Sequence, residues 1–158
     1  MRKSLPKSIG SIIIIASCFF FSCGSDTVYN EFQPIRNIIW KKQDTYFFNF
    51  EIKDNSVAYD VSLQLRNNDT YPYQNLWILS EEEQPSGVSA KDTIEYMIAD
   101  DYGKWTGSGI TLFQGHILLR KNHHFPDTGK YTISIQHGMR DNELTGIKDI
   151  GLFIEKSK

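Results

Sequence analysis

The sequence predicts an all-β protein: an antiparallel two-sheet β-sandwich of jelly-roll or immunoglobulin-like topology, preceded by a lipoprotein signal peptide. Three observations predict it. Beyond the leader, apolar and polar residues alternate with period two, turn residues recur between the alternating segments, and no long stretch holds apolar residues at helical spacing. A closed barrel is the second choice.

The leader comes first. Arg2, Lys3 and Lys7 precede an apolar run from Ile9 to Phe21, which is followed by Ser22 and Cys23. A basic start, a short apolar middle and small residues at the end make a secretory signal, too short to serve as a comfortable bilayer span. Two cysteines compete to end it, because Ile15-Ala16-Ser17-Cys18 and Phe20-Phe21-Ser22-Cys23 both resemble the bacterial lipobox, where cleavage precedes a diacylated Cys. Cys23 is favoured over Cys18. It uses Phe19, Phe20 and Phe21 as apolar core and leaves the polar Gly24-Ser25-Asp26-Thr27 on the mature side. No cysteine follows, so neither has a downstream disulfide partner. The expected division is 1–22 signal peptide, 23–33 lipidated Cys and polar tether, and 34–158 a single sandwich domain.

The alternation then sets the strands. Tyr46, Phe48, Phe50 and Ile52 point one way, with Phe47 breaking the polar face; Tyr59 to Arg66 alternates without a break. Further strands are expected at 76–79, 93–98, 115–119, 131–135 and 150–154. Turn chemistry separates them at Asp54-Asn55-Ser56, Asn67-Asn68-Asp69, Gln84-Pro85-Ser86-Gly87, Gly103 to Gly109 and Pro126-Asp127-Thr128-Gly129.

Composition excludes several functions. The leader takes three of the 17 basic residues and none of the 19 acidic ones, leaving 14 against 19 and a formal charge of −5. Such an acidic domain is a poor match for phosphate backbones, so no nucleic-acid partner is expected. Nor does a catalytic constellation assemble. Thr106-Gly107-Ser108-Gly109 lacks the leading glycine of a nucleophile elbow, and Asp100 with Asp101 reads as a solvated turn. His123 and His124 read as exposed loop histidines without metal-ligand spacing, and His116 and His137 as strand residues satisfied locally. The expectation is a non-enzyme with no cofactor and no metal.

Aromatics carry more signal. Tyr71, Tyr73 and Trp77 crowd one turn-to-strand segment and Trp105 lies in a second loop, a composition suited to protein contact or sugar stacking. Trp77 and one tyrosine filling the core is the competing reading. Asp26-Thr27-Val28 and Asp92-Thr93-Ile94 match a D-[S/T]-aliphatic O-glycosylation acceptor, with Thr27 the better placed.

Several segments taken in order carry a resemblance. They are Cys23 with Val28-Tyr29-Asn30-Glu31, Phe48-Asn49-Phe50-Glu51-Ile52, Leu65-Arg66-Asn67-Asn68, Tyr71 to Trp77, Gly103-Lys104-Trp105-Thr106-Gly107, Gly129-Lys130-Tyr131-Thr132 and Gly146 to Leu152. Together they resemble the gliding motility lipoprotein GldH family of Bacteroidetes across almost the whole mature chain. The resemblance implies lipidation at Cys23, although Phe20 departs from the pattern three positions before it. It implies a membrane-anchored cell-envelope protein, at the outer membrane rather than the inner, facing periplasm or exterior. Its partners would be the bilayer, through acylated Cys23, and other envelope or motility proteins. It implies support of gliding motility or surface-protein assembly without catalysis. A glycan-binding β-sandwich is the alternative, with Tyr71, Tyr73, Trp77 and Trp105 as its surface.

Overall fold

The computed structural model describes residues 26–158, so the signal peptide, Cys18 and Cys23 lie outside the described residues. The strands are β1 (Thr27–Pro34), β2 (Ile39–Lys41), β3 (Tyr46–Ile52), β4 (Tyr59–Asn67), β5 (Asn75–Glu83), β6 (Ser89–Met97), β7 (Ser108–Gly109), β8 (Phe113–His123), β9 (Gly129–His137), β10 (Glu143–Thr145) and β11 (Ile147–Lys156). A 3₁₀ turn at Arg36–Ile38 is the one helical piece among the described residues. The first sheet has the order β1-β11-β4-β8-β7 and the second β3-β9-β5-β6, with β10-β2 as a separate ribbon. All pairings are antiparallel. The architecture is the sandwich that the period-two pattern predicts.

Alternation places the core. Val61, Leu63, Leu65, Ile117, Ile150, Leu152 and Ile154 of the first sheet, and Phe48, Phe50, Ile52, Leu76, Ile78, Tyr131, Ile133 and Ile135 of the second, are all buried. Burying such a side chain contributes about 1.5–3 kcal/mol each, which makes this layer the main support of the fold. Phe50 is its aromatic hub: its ring lies 5.8 Å from each of Tyr29, Phe125 and Tyr131. Trp40 and Leu144, from the small ribbon, extend the buried layer.

Strand direction gives the sandwich two distinct poles. Thr27 pairs with Glu155, Asp60 with Glu155, and Tyr59 with His123, so one end of the first sheet gathers the start of β1 and the end of β11. Loops 53–58 and 124–128 cross from that end to the second sheet, where Asn55 Nδ2 donates to the Pro126 carbonyl at 2.9 Å. The opposite pole carries loops 68–74, 98–107 and 138–142 with the β2–β10 ribbon. Asx side chains hold three of these connections, as their composition predicts: Asp54 Oδ1, Asn68 Oδ1 and Asp100 Oδ1 accept backbone N–H groups at 2.9–3.0 Å.

Some elements differ from the sequence expectation. Thr27–Pro34 is a strand, whereas the polar stretch 23–33 reads as tether. Its apolar residues, Val28, Tyr29 and Phe32, do not alternate, and pairing with β11 rather than a periodic face makes it extended. The ribbon strands have three residues each, too few to display a period.

Close approach fixes two glycines. Gly146 has φ 88°, and a Cβ there would lie 2.3 Å from the Tyr71 nitrogen. At Gly151 a Cβ would meet Phe32 Cδ1 at 2.8 Å and the Glu31 carbonyl oxygen at 2.9 Å. The space left by Gly151 seats the Phe32 ring flat on the outer face, and the Arg66 guanidinium lies 3.9 Å above that ring.

At the open side of the sandwich β6 and β8 lie over one another as edge strands, β7 covering only the first residues of β8. Arg120 of β8 reaches Asp92 of β6 at 2.8 Å and clasps the two edges.

Gly151→Ala forces β1 away from β11, because the obstructing atoms include backbone. The expected loss is about 1–3 kcal/mol, read as a lower thermal midpoint by circular dichroism; an unchanged midpoint would show that β1 shifts without cost.

Candidate functional site

The two outer faces differ in what they leave open. On the first sheet Arg66 is engaged by its neighbours: beyond Phe32, its Nε donates to Gln114 Oε1 at 3.1 Å and its Nη1 lies 3.4 Å from Asp149 Oδ2, while Leu118, opposite Ser62 on this sheet, is 51% exposed. Burial raises the Asp149 carboxyl above the usual aspartate range, and the Arg66 charge opposes that rise.

The second sheet presents more of its large apolar groups. Phe47 (54% exposed), Trp77 (38%), Leu79 (38%) and Met97 (49%) all point outward from it. Ser134 pairs with Phe47, and Leu79 with Gln136 and Thr93, so uncharged side chains separate Phe47 from Leu79, while Glu95 stands opposite Trp77. The result is a groove of about 420 Å³ lined by Phe47, Leu79, Thr93, Ser134 and Gln136. Its charges are mutually occupied, Lys91 Nζ standing 3.6 Å from Glu81 Oε2. Phe47 and Leu79 share this groove, whereas Trp77 and Met97 lie outside its lining.

The aromatic residues singled out by sequence divide. Tyr71 is 3% exposed, with its hydroxyl donating to the Asn75 carbonyl at 2.7 Å, and it belongs to the core. Trp105 is half-buried, its Nε1 donating to Asp69 Oδ1 at 2.8 Å and its ring 6.4 Å from Tyr71. Tyr73 and Trp77 are exposed and share an open groove of about 480 Å³ with Asn75, Met139, Arg140 and Asp141. The Tyr73 hydroxyl donates to Asp141, which raises the phenol's pKa. Phe47, Leu79 and Met97 are the members that sequence reasoning missed. The signal for Phe47 was its break in the polar face; Leu76-Trp77-Ile78-Leu79 is apolar throughout and hides which pair faces out.

Thr27 opens β1 opposite Glu155, and Thr93 stands on the outer face of the second sheet. Among the described residues no group of three or more His, Cys, Asp or Glu side chains gathers as a metal site. The histidines differ from expectation in two places. His123 is a half-buried strand residue rather than an exposed loop one, with Nε2 3.9 Å from the Glu82 carboxylate and its ring edge-on to Phe125 at 4.6 Å. His137 is fully buried, edge-on to Trp40 at 5.4 Å, and neither ring nitrogen has a well-formed hydrogen bond. Burial first, then the Lys42 charge, pushes the His137 imidazole below its ordinary pKa, with the Trp40 backbone only moderating the shift. Burial also lowers His123, against the opposing pull of Glu82.

The GldH lipoprotein family model matches residues 27–154, from the first residue of β1 to a core position in β11. The chain belongs to the GldH lipoprotein family. The GldH model thus spans the sandwich from β1 to β11. A relative from Christiangramia forsetii, named a gliding motility lipoprotein GldH homolog, is 35% identical over 154 residues, covering 92% of this chain and 94% of its own. The gliding motility lipoprotein GldH of Flavobacterium johnsoniae is 29% identical over 153 residues with the same coverage, 92% and 94%. Neither name is that of an enzyme. Among solved structures, the VP2 subviral particle of infectious bursal disease virus aligns with a TM-score of 0.38 at 11% identity. It covers 83% of this chain and 31% of the viral one, a likeness too remote to carry an argument.

Both histidine shifts have the same sign for stability. Below the ordinary histidine value of about 6.5 the unfolded chain takes up protons that the folded domain refuses, so stability falls as pH drops through that range. Asp149, with a raised pKa, acts the other way at lower pH, where the folded state holds its proton more tightly. The urea midpoint is expected to decrease from pH 7.5 to 5.5. His137→Phe, which keeps an edge against Trp40, should shrink that decrease; an unaltered slope would exclude His137 as a source.

Proposed function

We propose that this chain is a lipid-anchored, non-enzymatic component of the cell envelope. It supports gliding motility or surface-protein assembly through contacts with other envelope or motility proteins. The observation that carries the contact role is the set of large apolar side chains on the outer face of the second sheet, Phe47, Trp77, Leu79 and Met97, which stand in water there. Cys23 supplies the anchor, since two or more acyl chains hold a protein on a bilayer stably where one does not. The outer membrane, rather than the inner, is its proposed location, with the domain facing periplasm or exterior. No cofactor enters this reading.

Glycan binding is a second reading, favoured by one observation: Tyr73 and Trp77 share their groove with the hydrogen-bonding groups of Asn75 and Asp141. Trp77→Ala should then abolish retention on a polysaccharide column, whereas absence of retention by the native domain removes this reading.

Affinity purification of the tagged protein from its native membranes tests the first reading. Near-stoichiometric envelope proteins are expected to co-purify, and Phe47→Glu with Leu79→Glu should release them without changing the circular dichroism spectrum. Companions that persist in the double variant would overturn the assignment of this face. Cys23→Ala should move a folded domain to the soluble fraction; normal processing with full membrane retention would overturn the anchor.

A further inference from the structure

We infer that the sandwich stands with one pole against the bilayer, the pole formed by loops 53–58, 84–88 and 124–128. The inference rests on anchoring through Cys23. Only Gly24, Ser25 and Asp26 separate Cys23 from Thr27, the first residue of β1. A chain of that length reaches about 14 Å at full extension, so the start of β1 stays close to the headgroups. The Asp26 carbonyl is already committed to the sheet, accepting the Lys156 N–H at 2.8 Å, which leaves the free length shorter still.

The fold converts this single attachment into a direction. Thr27 pairs with Glu155, and the neighbouring strands bring Asp60 and His123 to the same end. At that pole the β5–β6 connection, Gln84-Pro85-Ser86-Gly87-Val88, is uncharged, and Val88 is exposed. The three loops hold one lysine, Lys53, against Asp54 and Asp127, and the nearby Lys156 and Lys121 charges act on Asp54 and Asp60. Headgroup charge therefore adds little, and the short covalent link sets the orientation. The ten residues of β11 span about 30 Å. Tyr102 and the groove of Tyr73 and Trp77 lie at the opposite pole, turned away from the lipid.

Single-site labelling tests the orientation, because the sequence has no cysteine after Cys23 and acylation blocks that thiol. The acylated protein carrying Ser86→Cys, Thr93→Cys or Tyr102→Cys with a fluorophore is reconstituted into phosphatidylethanolamine–phosphatidylglycerol vesicles containing a headgroup nitroxide lipid. Quenching at Ser86 is expected to exceed that at Tyr102 at least threefold, with Thr93 between them. The order should survive replacement by phosphatidylcholine or addition of salt. Equal quenching at all sites, or strongest quenching at Thr93 from a domain lying on its second sheet, would overturn it. Inserting ten Gly/Ser residues between Ser25 and Asp26 should reduce the Ser86 to Tyr102 ratio; an unchanged ratio would show that the tether does not set it, and would also overturn it. Cys23→Ala isolates the underlying reading: loss of vesicle binding supports the anchor whatever the orientation, and retained binding shows that the anchor reading itself has failed.

Discussion

β11 is the last strand among the described residues and lies inside the first sheet, paired with β1 on one side and β4 on the other. Much of the rest depends on that placement. Among the described strands β1 forms a ladder with β11 alone, the core residues Ile150, Leu152 and Ile154 fill the layer facing Phe50, and Gly151 creates the seat for Phe32. The sheet cannot be completed until β11 is available, and closing such non-local pairings is slow compared with local hairpins. The second sheet contains one such hairpin, β5–β6, whose strands pair over their full lengths across a short uncharged turn.

The two outer faces then acquire separate roles from a small number of side chains. On the first sheet Gly151, Phe32 and Arg66 form a stack in which the missing Cβ, the ring and the guanidinium each require the other two. Arg66 is also held by Asp149 and Gln114, so its own charge is occupied there. On the second sheet no equivalent cover exists among the described residues, and apolar groups face water at a cost that a bound surface would recover.

How much of this was legible in the sequence follows from the lengths and periods involved. β3, β4 and β9 carry an unbroken or nearly unbroken alternation over seven or nine residues, and the structure reproduces it in their burial. β1 has no period to read because one of its edges and part of each face are wet, and the paired ribbon strands are too short. The same limit applies to the surface. Phe47 interrupts a polar face and so announces itself, while Trp77 and Leu79 sit in a fully apolar run that is ambiguous until register assigns the inward pair to Leu76 and Ile78. His137 was legible as a strand residue but not as an unpartnered one, since its environment comes from Trp40, nearly a hundred positions earlier.

The Arg120 to Asp92 clasp has a meaning that depends on crowding. Lipoproteins share a two-dimensional surface, where copies collide far more often than they would in free solution. Exposed backbone edges in that setting invite ribbon-like polymers that grow sideways from one molecule to the next. An inward-turned arginine held across both edges spoils the template for a neighbour's strand.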